Sequence, residues 1–202
     1  MTRIPLLALT AAAGLAASAL VSLPCAALAG EIVGQIDAPV PKHKANVVVY
    51  VRNAGLEPAP KTALMDQEGL VFKPRVLPVQ KGSTVEFRNS DPVGHNVNSP
   101  DGKPYDLGTW PKGESRKKTF TETGAFRQLC SVHDDMIAWV VVVDSRHFGV
   151  SDKAGAFRIP DLPAGKYTLG VWHEKLGAAD RTVEVAATGP TPVTITLGPK
   201  AP

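Results

Sequence analysis

The sequence predicts an all-β protein, and two observations support this prediction. Short segments rich in valine, isoleucine, threonine and aromatic residues recur along the chain, whereas helix signals are scarce. Glycine, proline, aspartate and asparagine separate these segments at regular turn spacing, as in a β-sandwich or a Greek-key barrel. The predicted strands are, in chain order, EIVGQI, NVVVYVRN, STVEFRN, RKKTFT, IAWVVVVD, AFRIP, KYTLGVW, RTVEV and TPVTITL.

Two of these strands are predicted to differ in the number of faces that are buried. In STVEFRN, Val85 and Phe87 alternate with polar residues, which predicts an antiparallel strand with one buried face. The valines at 140–143 form a continuous apolar run, so we expect this strand to be covered on both faces.

The chain changes character beyond Asp144. The motifs DKAG and LPAG supply turns before AFRIP and KYTLGVW, and no cysteine or methionine follows. We therefore expect this half to be structural and to contain no reactive site. The roughly 170 residues that remain after removal of an export signal suffice for one large or two small domains.

The segment 1–29 is typical of an export signal. Arg3 provides the positive start, an apolar stretch follows, and ALA at 27–29 places small residues where a signal peptidase cuts. The apolar stretch is short and interrupted by Pro24, so it does not suit a membrane span. We expect cleavage after Ala29, no membrane span afterwards, and a periplasmic or secreted protein. Lipid attachment at Cys25 is the alternative, which Pro24 disfavours.

Export would leave a single cysteine. The chain has two, and Cys25 leaves with the signal, so Cys130 has no partner for an internal disulfide. Such a thiol is a free reactive group, an intermolecular bridge, a buried small side chain or a metal ligand.

Charge argues against nucleic-acid binding. Without Arg3, the 22 basic and 19 acidic residues of the chain leave a net charge of about +2. No basic stripe interleaved with aromatic residues is present either. We therefore expect no nucleic-acid partner.

Four residues form a candidate metal site. Cys130, His133 and Met136 are spaced three residues apart just before the valine run, and His95 lies in NSDPVGHNV. Taken singly, each has an ordinary explanation, such as a surface histidine or a methionine in the core. Taken together, they indicate one shared metal ion.

The donor set favours copper and electron transfer. Two neutral imidazoles, a thiolate and a weak thioether suit copper in both oxidation states. Zinc prefers a fourth strong ligand, and iron–sulfur clusters need more cysteines. Four protein ligands leave no evident open position for a substrate, and the His-x-His pairs of an oxidase copper cluster are absent. We expect an electron carrier and not an enzyme.

These residues also carry a family resemblance. DQEGLVFKPRVLPVQKGSTVEFRNSDPVGHNV resembles the first half of a cupredoxin, the blue-copper fold of plastocyanin, pseudoazurin and amicyanin, and GAFRQLCSVHDDM resembles the second half. The C-x2-H-x2-M spacing matches the short ligand loop of amicyanin. The resemblance covers roughly residues 64–144 and implies a cupredoxin Greek-key β-sandwich, placed at 54–144. It further implies one type 1 copper ion per chain, bound by His95, Cys130, His133 and Met136.

The resemblance assigns supporting roles to two more residues. Asn96 and Ser131 are expected to hydrogen-bond across the two ligand loops and to hold the thiolate in place. The chain departs from the family pattern at Leu129, a position that is often aromatic. It departs again at Asp134 and Asp135, where amicyanin-like loops carry proline and an apolar residue. We expect these carboxylates to favour Cu(II) and to lower the reduction potential.

The second half carries a resemblance of its own. SDKAGAFRIPDLPAGKYTLGVWHE resembles the carboxypeptidase-regulatory-like, or transthyretin-like, module, which implies a smaller β-sandwich at residues 145–202. Such modules commonly begin with strands like those of VGQIDAPVPKHKANVVVYV. Residues 31–53 therefore either complete this sandwich or add NVVVYV to the copper-domain sheet. The two-module pattern also resembles exported bacterial methylamine-utilisation-type proteins.

The resulting hypothesis is a periplasmic type 1 copper protein that carries single electrons between redox partners, such as a cytochrome or a dehydrogenase. The partner should dock near His133. Two alternatives stay open: copper binding and delivery without redox cycling, and an extracytoplasmic interaction module with a structural metal. The remaining histidines and two tryptophans are expected to be structural or surface residues: His43, His147, His173, Trp110 and Trp139.

Overall fold

The computed structural model describes residues 30–52 and 61–200. The predicted export signal, with Cys25, and residues 54–60 of the predicted copper domain lie outside the described residues. Within them the chain is almost entirely strand, with one short 3-10 helix at Pro41–Lys44, so the predicted all-β class is confirmed. None of the helical structure in these ranges is long and apolar enough to span a bilayer.

The described ranges contain eighteen strands, which form two sandwiches and one short two-stranded ribbon. The strands are, in chain order, β1 (Gly30–Asp37), β2 (Val48–Arg52), β3 (Thr62–Gln67), β4 (Phe72–Lys73), β5 (Val76–Gln80), β6 (Thr84–Asn89), β7 (His95–Ser99), β8 (Tyr105–Trp110), β9 (Ser115–Thr119), β10 (Gly124–Leu129), β11 (Ile137–Val143), β12 (Phe148–Val150), β13 (Ala156–Leu162), β14 (Gly165–Trp172), β15 (Leu176–Gly177), β16 (Arg181–Val185), β17 (Pro190–Thr196) and β18 (Gly198–Pro199).

The first sandwich contains the predicted metal ligands. Its sheets have the strand orders β5-β11-β10-β7-β8 and β4-β3-β6-β9. Val85 and Phe87 on β6 are fully buried, so the predicted alternation is confirmed. This strand pairs antiparallel with β9 and also parallel with β3, which the sequence pattern did not indicate. Both sheets contribute to one core around Phe87, Trp110 and Val140.

The second sandwich is built from both ends of the chain. Its sheets have the orders β13-β1-β17 and β12-β2-β14-β16. Strand β1 pairs antiparallel with β13 and parallel with β17, and β2 lies between β12 and β14. Both β1 and β2 therefore contribute to this sandwich, and the first sandwich lies between β2 and β12 in the sequence. The likeness of this sandwich to transthyretin stays a prediction.

The valine run of β11 faces two different cores. Val140 and Val142 lie in the core of the first sandwich, whereas Val141 and Val143 pack in a separate cluster with residues of the second, including Val48 and Trp172. All four valines are buried, which confirms the prediction of a strand covered on both faces. The run therefore joins the two sandwiches through an apolar contact.

Candidate metal centre

One tight connection places three of the predicted ligands. The segment from Cys130 to Met136 joins β10 to β11, an antiparallel pair. Within it the His133 amide donates to the Cys130 carbonyl at 3.3 Å, and the Met136 amide donates to the His133 carbonyl at 3.0 Å. These two successive turns explain the spacing of three residues, because each turn returns the chain to the same end of the sandwich.

The fourth predicted ligand comes from the neighbouring strand. His95 begins β7, which pairs with β10 in the same sheet, and its side chain is fully buried. Its Nδ1 lies 3.1 Å from His133 Nδ1 and 3.9 Å from Cys130 Sγ, and His133 Nδ1 lies 3.7 Å from the same sulfur. Two donor atoms from the segment between β10 and β11 and one from the start of β7 thus lie close together.

These separations fit a shared metal ion. Nitrogen and sulfur donors bind first-row metals at about 2.0–2.3 Å, so two donors on one ion lie roughly 3–4 Å apart. The three donor pairs all fall in this range. They are also the one group of three or more histidine, cysteine or acidic ligands that comes together in the described part of the chain.

Met136 is placed in the same environment. It is 1% exposed, and it packs in the core cluster that also contains Cys130. Burial of a soft thioether beside the thiolate is compatible with the weak axial role predicted for it.

Asp91 fixes the orientation of His95. The Nε2 atom of His95 donates to Asp91 Oδ2 at 2.8 Å, and the same carboxylate accepts from the amides of Gly69 at 2.6 Å and Leu70 at 2.9 Å. Burial raises the pKa of Asp91, but the hydrogen bonds from the Leu70 and Gly69 amides and from His95 outweigh it and lower this pKa to about 2. Because an ionised carboxylate only accepts, the His95 proton lies on Nε2 and the Nδ1 lone pair faces the metal position.

Sequence reasoning missed Asp91. The available signal was a carboxylate four residues before a predicted ligand histidine, in the motif D-x-x-x-H. This spacing is common by chance, so a specific partner for His95 could not be read from it.

Asn96 and Ser131 connect the two ligand-bearing segments. The Asn96 amide donates to Cys130 Sγ at 3.4 Å, and Asn96 Oδ1 accepts from the Ser131 amide at 3.3 Å and its hydroxyl at 3.0 Å. The other side of the Asn96 side chain donates to Asp106 at 2.6 Å and to the Gly108 carbonyl at 3.0 Å. These bonds fix the position of the sulfur relative to the strand that carries His95.

The remaining histidines lie away from this centre. His43 and His173 pack on each other with ring centroids 5.4 Å apart. The Nδ1 of His173 accepts the amides of Lys175 and Leu176, and this pattern leaves its proton on Nε2. His147 is 5% exposed, and its Nε2 accepts from Arg146. None of the three joins another ligand group in the described residues.

The first sandwich is similar in sequence to a known family of proteins. Residues 60–143 match the profile of the copper-binding proteins of the plastocyanin/azurin family. No curated protein matches the chain.

Structural comparison finds similarity to three kinds of copper protein. The first is the Cu-containing nitrite reductase of Thermus scotoductus SA-01, with 31% identity over 44% of this chain and 23% of the reductase, at a TM-score of 0.38. A reduced Cu(I) form of an amicyanin variant has 26% identity over 47% of this chain and 98% of its own length, at a TM-score of 0.39. A purple cupredoxin from Nitrosopumilus maritimus has 26% identity over 40% of this chain and 99% of its own, at 0.37. The chain thus spans about a quarter of the reductase.

Proposed function

We propose that the chain carries single electrons between redox partners, because residues 60–143 match the copper-binding proteins of the plastocyanin/azurin family. One copper ion per chain is held by His95, Cys130, His133 and Met136. When bound, copper supplies the one-electron Cu(I)/Cu(II) couple. The observation that supports this proposal is the convergence of two imidazole nitrogens and one thiol sulfur at the end of a rigid sandwich.

The surrounding bonds favour a site that changes little during electron transfer. His95 is held by Asp91, and the ligand segment is held by the bonds between Asn96 and Ser131. Ligands fixed by a sheet and by such bonds need little rearrangement when the charge of the ion changes. A small rearrangement is what an electron carrier requires.

His133 is the ligand through which electrons would enter and leave. Cys130, Met136 and His95 are buried, whereas His133 is only half-buried. Its neighbour Val132 is 53% exposed. Other exposed apolar side chains lie on the segments that carry the ligands or on the loop held by Asp91: Leu70, Val71, Val93 and Ile137.

This apolar rim suits a transient protein partner. Exposed apolar groups that cluster around a functional residue mark interaction surfaces, and a small, partly apolar contact permits rapid release. Asp134 and Asp135 are exposed beside His133 and make the rim negative. The partner is therefore a redox protein, such as a cytochrome or a dehydrogenase, with basic residues around its own redox centre. The export-signal pattern of residues 1–29 supports a periplasmic or secreted location.

A visible absorption spectrum tests copper binding. The full mature chain is titrated with Cu(II), beside a Cys130→Ala variant and a Ser145→Ala control that leaves the site intact. We expect an intense band toward the red end of the spectrum in the native protein and the control, saturating at one equivalent, and no such band in Cys130→Ala. Absence of the band from well-folded native protein would reject the blue-copper centre.

A second measurement separates electron transfer from copper delivery. A carrier should show a reversible potential by voltammetry and should retain Cu(I) during hours of exposure to a strong Cu(I) chelator. Rapid loss of Cu(I) to the chelator would support delivery. A chain that binds copper but has no reversible couple would support the structural-metal alternative.

A further inference from the structure

A cavity of about 560 Å³ lies between the two sandwiches. One wall comes from the starts of β3 and β6 and the end of β5, and the other comes from residues 146–148 and 160–161. Strands β3 and β6 run parallel from this cavity toward the metal centre, which lies beyond the end of β6. The cavity is therefore at the opposite end of the first sandwich from the ligands, and its volume is typical of sites for small organic molecules.

The walls combine apolar surface with positive charge. Val79, Phe148 and Pro160 line the cavity, together with the cationic side chains of Lys61 and Arg146. Among the described residues, neither cation forms an ion pair, although most other arginines do. Ligand sites are usually mainly apolar pockets with a few fixed polar groups, and sites between domains are common.

Arg146 is held in place by a buried histidine. Its Nε donates to Nε2 of His147 at 3.2 Å, and the His147 ring is hydrogen-bonded to the backbone of Pro160 on the same wall. Burial lowers the pKa of His147, and the charge of Arg146 lowers it further, so this histidine is neutral and serves as an acceptor. The terminal amino groups of Arg146 donate no hydrogen bond to the described residues and are available to a ligand.

Asp161 sets a limit on the charge of the site. Its carboxylate also lines the cavity, so Lys61 and Arg146 leave one excess positive charge. The backbone of Asp161 is in the left-handed region, with φ of 57°, where the pairing of β13 with β1 shifts its register. A singly charged anion matches this balance better than a multiply charged one.

We propose that this cavity binds a small organic monoanion, whose apolar body packs on Val79 and Phe148 and whose acid group bonds Arg146 and Lys61. Planar, charge-assisted bonds from a guanidinium suit a carboxylate or sulfonate. This binding is independent of copper, because the two sites lie at opposite ends of the first sandwich.

The experiment compares a charged probe with its neutral analogue on the full mature chain. The fluorescence of 8-anilino-1-naphthalenesulfonate reports binding of an apolar anion, and N-phenyl-1-naphthylamine has the same rings without the sulfonate. We expect saturable binding of the anion at one equivalent, at least about tenfold tighter than binding of the neutral probe. The preference should decrease as the salt concentration rises.

Paired variants locate the site. The double variant Arg146→Gln with Lys61→Gln should lose the preference for the anion, so that both probes bind within about twofold of each other. The matched control, Arg181→Gln with Lys112→Gln, removes the same charges from exposed positions outside the cavity and should behave as the native chain. The copper spectrum should be unchanged in both. An anion preference that persists in the first variant, or no saturable binding to the native chain, would overturn the proposal.

Discussion

Asp91 shows how a single residue outside the predicted ligands can orient one of them. Its carboxylate satisfies two backbone amides of the 69–70 turn and the outer nitrogen of His95. We predict that Asp91→Asn weakens copper affinity by about 10–100-fold, because loss of the carboxylate partner loosens the His95 ring. We also expect it to reduce the free energy of unfolding of the metal-free protein by about 1–3 kcal/mol, since a buried donor then lacks an acceptor.

Cu(I) competition titration and denaturant unfolding measure these two effects. Asp101→Asn is the matched control, because Asp101 also binds backbone and side-chain donors, those of Arg127, away from the metal centre. If both variants lost the same copper affinity, general destabilisation and not the bond to His95 would be the cause.

The exposed acids of the ligand loop should set the reduction potential. Asp134 and Asp135 follow His133 directly and are open to solvent. Their negative charges stabilise the oxidised ion more than the reduced one, so we predict that replacing both by asparagine raises the potential by tens of mV. Voltammetry at low and high salt measures this change, which should shrink at high salt. Asp144→Asn, at the far end of β11, is the control, and an unchanged potential in the double variant would contradict the prediction.

His173 should make stability sensitive to mild acid. Burial is the main cause that lowers its pKa from 6.5, and the charge of His43 adds to it. Its Nδ1 accepts two amides, so protonation there removes both hydrogen bonds. Other charged groups act on it as well: Glu174, which opposes the shift, and Lys175 and Lys200, which support it.

The sign of the effect follows from linkage. The unfolded chain binds the His173 proton more readily than the folded one, so the contribution to stability is complete above pH 6.5 and is lost as the pH falls through the lower folded pKa. We predict that the melting temperature falls between about pH 7 and pH 5, and that the fall is shallower in His173→Gln. Equal slopes in both proteins would assign the acid sensitivity to other groups.

At the scale of the elements, the valines of strand β11 pack alternately into two different apolar cores. Val140 faces the core of the first sandwich and Val141 faces the cluster between the sandwiches. Threonine has nearly the same shape as valine but carries a hydroxyl, so Val140→Thr and Val141→Thr should each lower the free energy of unfolding by about 1–3 kcal/mol. Val132→Thr, which is exposed, should be neutral. A neutral Val141→Thr in denaturant unfolding would mean that the inter-sandwich face is open in solution.

Local pattern predicted the strands that are rich in branched residues and missed several others. Strand β5 contains Pro78, which argues against a central strand, and its place at the edge of the five-stranded sheet explains why proline is tolerated there. Strand β7 reads HNVNS, with one apolar residue, and its His95 and Asn96 side chains form hydrogen bonds within the candidate metal centre. Sequence periodicity weakens where function determines the residues.

The candidate metal ligands could be predicted from the sequence, whereas the long-range strand pairing could not. The candidate ligands could be proposed from the sequence because Cys130, His133 and Met136 are close together and the chemistry of His95 matches theirs. Whether β2 belongs to the first or the second sandwich depends on its contacts with β14, more than a hundred residues away. Pairing over such separations leaves no local pattern.

At the scale of the whole molecule, we propose that the copper domain is an insertion between β2 and β12 of the second sandwich. Contacts between described residues close the interface between the two sandwiches. Trp139 of β11 packs on Trp172 of β14 with ring centroids 5.2 Å apart. Glu174 accepts from Trp139 Nε1 at 3.2 Å and from Arg75 at 2.9 Å. Arg75 also donates to the carbonyl of Ile137, directly after the ligand segment.

These contacts should make the two sandwiches unfold as one unit. A large apolar interface resists independent domain motion, and a ligand that binds only the folded state raises the melting temperature of everything that unfolds with it. We predict one calorimetric transition for the native chain, which copper shifts upward as a whole. Trp172→Ala removes the aromatic contact and should split the transition in two, of which copper shifts only one.

The control for this split is a substitution that weakens the second sandwich without touching the interface. Val183→Ala lies in the core of that sandwich, so it should lower the melting temperature while leaving a single, copper-sensitive transition. One transition in Trp172→Ala, with the native copper shift, would show that the two chain connections and the valine face of β11 couple the sandwiches without the tryptophan pair. Two transitions in the native chain would instead mean that copper binding does not stabilise the second sandwich. The two sandwiches would then be connected in sequence but would unfold independently.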